Sequence, residues 1–126
     1  MTSVEKKILI VEDDDSLRKV VVEKLSREGF ITLQASNGLA GLECALQEHP
    51  DLILLDVIMP KMDGLTMLSR LREDLWGKNA QVIMLTNVSD GESVLESLNQ
   101  VAFDYLVKSD WKLEDVVRKI RERLEK

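Results

Sequence analysis

Two short apolar runs in this chain each end in carboxylates. Ile8-Leu9-Ile10-Val11 leads into Glu12-Asp13-Asp14-Asp15, and Leu52-Ile53-Leu54-Leu55 ends at Asp56. Runs of this length, apolar at every position, read as strands buried on both faces. Two such strands laid parallel would deliver Glu12, Asp13 and Asp56 to one edge of a sheet. Carboxylates brought together repel one another, and a divalent cation relieves that repulsion. Oxygen-only ligands select a hard ion; Mg2+ commonly takes one or two carboxylates and keeps several waters. A phosphoryl oxygen can replace one of those waters. A carboxylate is a weak nucleophile, yet it forms an aspartyl phosphate when the donor is positioned. Two further strand ends complete the set: Thr86 and Asn87 follow a run over 82–85, and Lys108 follows one over 103–107. A cation, an ammonium and a hydroxyl can together neutralise the equatorial oxygens of a phosphoryl group in transfer.

These side chains need a scaffold that gathers strand ends, and the rest of the sequence predicts one. Strands are expected over 8–11, 30–34, 52–55, 82–85 and 103–107. A helix over 16–28 puts Leu17, Val20, Val21 and Leu25 on one face, with Asp14 or Asp15 as its cap and Gly29 as its stop. A second begins after Asn37-Gly38, is marked by Leu39, Leu42, Ala45 and Leu46, and ends near His49-Pro50. A third over 64–73 turns Leu65, Leu68 and Leu71 inward, before a loop over 76–79. A fourth over 91–99 carries Val94, Leu95 and Leu98. The last has the clearest helical stripe: Leu113, Val116, Val117, Ile120 and Leu124. Five strands alternating with five helices predict an α/β domain whose parallel sheet is covered on both faces. In such sheets ligands bind outside the carboxyl ends of the strands, where strand order reverses. A single domain over residues 1–126 is expected, with no separate output domain.

Composition narrows the function classes. The chain has 126 residues and a net charge of −6, which disfavours direct nucleic-acid binding. Its densest basic group, Arg118, Lys119, Arg121, Arg123 and Lys126, alternates with Glu114, Asp115, Glu122 and Glu125, as on a solvated helix face. One cysteine, Cys44, allows no intramolecular disulfide and reads as a small buried apolar residue. No membrane span or signal peptide is evident, so a cytoplasmic location is expected. His49 reads as a helix-end residue.

The order Glu12-Asp13, Asp56, Thr86 and Lys108 across four strand ends resembles the receiver domain of two-component response regulators, of the stand-alone type, over essentially the whole chain. The resemblance implies a flavodoxin-like (βα)5 doubly wound parallel sheet of strand order 2-1-3-4-5. It implies that Asp56 is phosphorylated and that Asp13, Asp56 and the Ile58 main-chain carbonyl hold Mg2+ or Mn2+, with Glu12 acting through water. Thr86 would bind the phosphoryl group and move with it, Lys108 would contact it, and Tyr105 would be the switch aromatic that turns inward. The donor would be a phosphohistidine on a sensor histidine kinase or a phosphotransfer protein. The output would be a downstream target bound at the face of the 91–99 helix, last strand and last helix, or a phosphorylation-dependent homodimer. No nucleic-acid or membrane contact is implied. The chain would be an enzyme only in catalysing its own phosphorylation and slow dephosphorylation.

Departures from the family pattern sharpen these expectations. Lys108 is followed by Ser109 where proline is usual, so the bond is expected to be trans, or cis only under strain, at a cost of about 2.5–4 kcal/mol. Asn87 stands where a small residue is usual, and Asp110-Trp111 is unusual. Ile58 and Val88 occupy the two positions that tune phosphoryl lifetime; both are apolar and neither can orient water, so slow self-dephosphorylation is expected. The alternative is a phosphorylation-independent interaction module on the same fold. A phosphatase with an aspartate nucleophile would carry a second acid where Ile58 stands, and an FMN carrier would not place four acids after its first strand.

Overall fold

The computed structural model describes residues 5–57, 59, 61–86, 104–107 and 112–125, with Thr86 and 104–107 described by their backbone. Strands are β1 (Lys7–Val11), β2 (Ile31–Ala35), β3 (Leu52–Asp56), β4 (Val82–Thr86) and β5 (Asp104–Val107). Helices are α1 (Asp15–Arg27), α2 (Gly38–Glu48), α3 (Gly64–Glu73) and α4 (Leu113–Leu124), with a short 3-10 helix at Gly77–Asn79. The sheet order is β2-β1-β3-β4-β5 and every pair is parallel, the doubly wound order expected. The helix expected over 91–99 lies outside the described residues.

Alternation along the central strands builds two cores, one on each side of the sheet. Leu9, Val11, Ile53, Leu55, Val82 and Met84 join Met67, Leu68 and Leu71 of α3 and Ala45 of α2. Ile8, Ile10, Leu52, Leu54 and Ile83 join Val21 and Leu25 of α1 and Val116, Val117 and Ile120 of α4. A strand that fills both cores has no polar face, which is why β1 and β3 appear in the sequence as unbroken apolar runs.

Helix starts are set by side-chain caps. Asp14 Oδ1 accepts the Leu17 N–H at 3.1 Å, choosing Asp14 over Asp15 as the cap of α1. Asn37 and Asp63 do the same for α2 and α3, accepting from Ala40 and Thr66 at 2.9 and 2.8 Å. Asp115 Oδ2 accepts the Lys112 N–H at 2.9 Å, and that bond holds its carboxyl below the usual range. Each such contact satisfies a backbone donor that the helix itself leaves unpaired.

The buried face of α2 is made by its smallest residues. Leu39 and Leu46 are exposed, while Gly38, Gly41 and Ala45 are buried, with Leu42 partly so. A Cβ on Gly41 would stand 2.8 Å from Val11 Cγ1, so the helix lies on the sheet by its smallest residues and its larger ones turn outward. Val20 of α1 is likewise exposed, because Val21 and Leu25 centre the buried stripe and Val20 falls on its flank. Cys44 is half-buried rather than buried, packs against the α2–α3 core, and has its thiol pushed up by desolvation. The loop after α3 contains the 3-10 turn, and the Arg72 guanidinium ties it down by donating to the Gly77 and Ala80 carbonyls at 2.6 and 2.9 Å.

Candidate phosphoryl-acceptor site

Strand register aligns the chemistry. Val11 of β1 pairs with Leu55 of β3, so Glu12 follows at the level of Asp56. Asp56 pairs with Leu85 of β4, and Thr86 pairs with Val107 of β5, the residue before Lys108. The carboxyl ends of β1, β3, β4 and β5 therefore share one edge of the sheet.

At that edge three acids converge. One carboxylate oxygen each from Glu12, Asp13 and Asp56 lies within 4.8 Å of the others. Glu12 is 1% exposed and Asp56 4% exposed, whereas Asp13 faces solvent. Burying carboxylates is costly unless charge or hydrogen bonds compensate. An all-oxygen set, two members buried and one open to solvent, has the chemistry of a hard-cation site such as one for Mg2+ or Mn2+. The three residues thus fit the ion that the sequence implies.

The loops that carry the acids are braced. The Glu12 N–H donates to the Ala35 carbonyl at 3.0 Å, fixing the end of β1 to the end of β2. Glu12 Oε2 accepts the Asp14 N–H at 3.1 Å, so the acidic run folds back on itself. Beyond Asp56, the Val57 N–H donates to the Leu85 carbonyl at 3.1 Å and the Gly64 N–H to the Val57 carbonyl at 2.7 Å. A Cβ on Gly64 would collide with the Asp56 carbonyl oxygen, so only glycine lets α3 start this close to β3. The positive φ of Lys61, 67°, turns the loop between them.

Of the sequence-predicted residues, Glu12, Asp13 and Asp56 are brought together. The backbone of Thr86 lies at the shared edge, and Tyr105 lies in β5 opposite Met84. Ile58, Asn87, Val88, Lys108, Ser109 and Trp111 lie outside the described residues. The conformation of the Lys108–Ser109 bond therefore lies there too.

One residue at this edge escapes sequence reading. From α1, Arg18 Nη1 donates to the Glu12 carbonyl at 2.8 Å, Nε to Gln34 Oε1 at 3.1 Å, and Nη2 to Asp15 Oδ1 at 2.6 Å. In the sequence it is one of many helix charges; the only available signal is its place one to two turns after an acidic run.

Comparison with known proteins agrees with this geometry. The family model described as the response regulator receiver domain matches residues 8–121. Sporulation initiation phosphotransferase F of Bacillus subtilis is 37% identical over 102 residues, which are 81% of each chain. The DNA-binding dual master transcriptional regulator RpaA of Synechocystis is 35% identical over 115 residues, 91% of this chain and 47% of that protein. The chain spans about half the length of the curated relatives it first matches. Among solved structures, a CheY-like response regulator receiver domain protein from Methanospirillum hungatei has a TM-score of 0.86 at 30% identity, covering 97% of this chain and 95% of that one.

Proposed function

Because the chain belongs to the response regulator receiver domain family, we propose that it is a phosphorylation-controlled switch whose acceptor is Asp56. The observation that supports this reading most directly is the convergence of Glu12, Asp13 and Asp56 at the carboxyl edge of a parallel sheet.

In this reading Asp13, Asp56 and the Ile58 main-chain carbonyl would hold Mg2+ or Mn2+, and Glu12 would assist through water. The bound ion supplies neutralisation of charge on the phosphoryl oxygens. An Asp56 oxygen attacks the phosphorus of a phosphohistidine on a sensor histidine kinase or phosphotransfer protein. The P–N bond breaks, its electron pair returns to the imidazole nitrogen, and that nitrogen takes up a proton. Lys108 and the Thr86 hydroxyl receive the transferred oxygens, and movement of Thr86 with Tyr105 passes the change to the signalling face that the family resemblance assigns to the 91–99 segment, β5 and α4. A downstream protein, or a second copy of the chain, reads that surface.

The Synechocystis relative is named as DNA-binding. In this chain the net charge of −6 argues that any nucleic-acid contact in the pathway is made by a partner or by another domain.

The test is intact mass after incubation with acetyl phosphate and Mg2+, beside Asp56→Asn. Gain of one phosphoryl group in the native chain alone is the expected result. No gain, with the fold intact, would overturn it in favour of a phosphorylation-independent interaction module.

A further inference from the structure

We propose that Arg18 is a positioning residue for the cation site: its guanidinium fixes the β1–α1 turn so that Glu12 and Asp13 hold their spacing to Asp56. This rests on reading Asp56 as a cation-dependent phosphoryl acceptor.

The guanidinium meets three elements at once. It donates to the main-chain carbonyl of Glu12 at the end of β1, to the side-chain oxygen of Gln34 in β2, and to the carboxylate of Asp15 at the start of α1. The Glu12 N–H already donates to the Ala35 carbonyl, so Glu12 is held through both its backbone polar groups. Its carbonyl belongs to the Glu12–Asp13 peptide. Any rotation of that peptide displaces the Asp13 side chain, the one exposed member of the acid cluster.

The pair with Asp15 alone would count for little. Asp15 is 85% exposed, and exposed ion pairs contribute about 0–1 kcal/mol. The bond to the Glu12 carbonyl is different: it is part-buried, and the Arg18 side chain is only 16% exposed. A guanidinium presents its donors in a rigid planar fork, whereas a lysine ammonium is one point charge on a flexible stem. Lysine at this position can reach one of the three acceptors in good geometry but cannot span them. Groups that orient metal ligands in this way typically change metal affinity by about 10–100-fold when removed.

The test is calorimetric titration of the intact protein with Mg2+, comparing native, Arg18→Ala, Arg18→Lys and the exposed neighbour variant Lys19→Ala. Arg18→Ala is expected to weaken Mg2+ binding about tenfold. Its phosphorylation by acetyl phosphate should return close to native once Mg2+ is saturating, so the loss appears in Mg2+ dependence and not in maximal rate. Arg18→Lys should recover part of the affinity, and Lys19→Ala should bind as native although it loses the same charge. Without Mg2+, amide exchange at Asp13 and Asp14 should quicken in Arg18→Ala. Native Mg2+ affinity in Arg18→Ala, with only a lower melting temperature, would overturn the proposal. Should Arg18→Ala fail to fold, Arg18→Lys decides: unchanged affinity overturns the proposal and weakened affinity supports it. A native protein that neither binds Mg2+ nor gains a phosphoryl group removes the acceptor reading itself, and the role of Arg18 with it.

Discussion

The imidazole of His49 lies stacked on the indole of Trp76, ring centroids 4.4 Å apart and planes within 9° of parallel. His49 ends α2 in the left-handed conformation at φ 48°, and Trp76 begins the turn after α3. The two rings border a groove of 420 Å³ with Pro50, Asp51 and Gln81, at the amino ends of β3 and β4 and thus opposite the acids. Replacing His49 by Asn keeps a residue that tolerates positive φ and removes the ring. The expected loss of stability is about 0.5–1.5 kcal/mol, the usual worth of an aromatic pair. Urea unfolding should show a lower midpoint at unchanged slope.

Gly64→Ala drives a Cβ into the Asp56 carbonyl, where backbone and not a flexible side chain must yield. Stability should fall by about 1–3 kcal/mol, the range for overpacking a tight site. Phosphorylation by acetyl phosphate should slow more than stability alone explains, because the displaced segment carries Asp56. A thermal melt beside an intact-mass time course separates the two effects.

Glu28 ties the end of α1 to α4, accepting from Arg121 Nη2 at 3.0 Å, while Arg121 also lies 5.1 Å from the Phe30 ring centroid. The hydrogen bond from Arg121, then that from Lys24, holds the Glu28 carboxyl below its ordinary value. A depressed folded-state value means the stabilisation is complete above the unfolded value, pH 4.5, and is lost as pH falls through the lower folded value. Glu28→Gln should therefore flatten the stability profile below about pH 4.5 and lower it modestly above. Urea midpoints measured across the acid range check this; a Glu28→Gln profile parallel to native at every pH would contradict it.

Leu39→Gln and Leu46→Lys should each change stability by no more than about 0.5 kcal/mol, as exposed sites do. Gly41→Ala should cost more than either, although it adds only a methyl group, because that methyl meets Val11. Chemical denaturation of the three variants ranks them.

Ile58→Asn together with Val88→Glu should shorten the lifetime of the phosphorylated protein several-fold, since each introduces a side chain able to orient water. The decay of the phosphorylated mass after acetyl phosphate is removed gives the half-life directly.

The strands and the acid cluster were legible because burial on both faces leaves an unmistakable apolar run, and because a carboxylate ending such a run has few structural uses. The inward face of α2 was not legible. Leucine periodicity assumes that large residues seek the core, but close helix–sheet approach at Gly41 and Ala45 inverted that order. Arg18 and the His49–Trp76 stack stayed hidden for a different reason. Their partners lie on other elements, at separations that no local pattern encodes.

The two-sided packing of β3 also sets the phase of Asp56. Leu52 and Leu54 enter one core, Ile53 and Leu55 the other, and Asp56 falls in step with the first pair. A one-residue slip of this strand against its neighbours would exchange its two hydrophobic sets and present the opposite parity at the carboxyl edge. A pair of inserted residues would keep the alternation but carry Asp56 about 7 Å along the strand, away from Glu12 and Asp13.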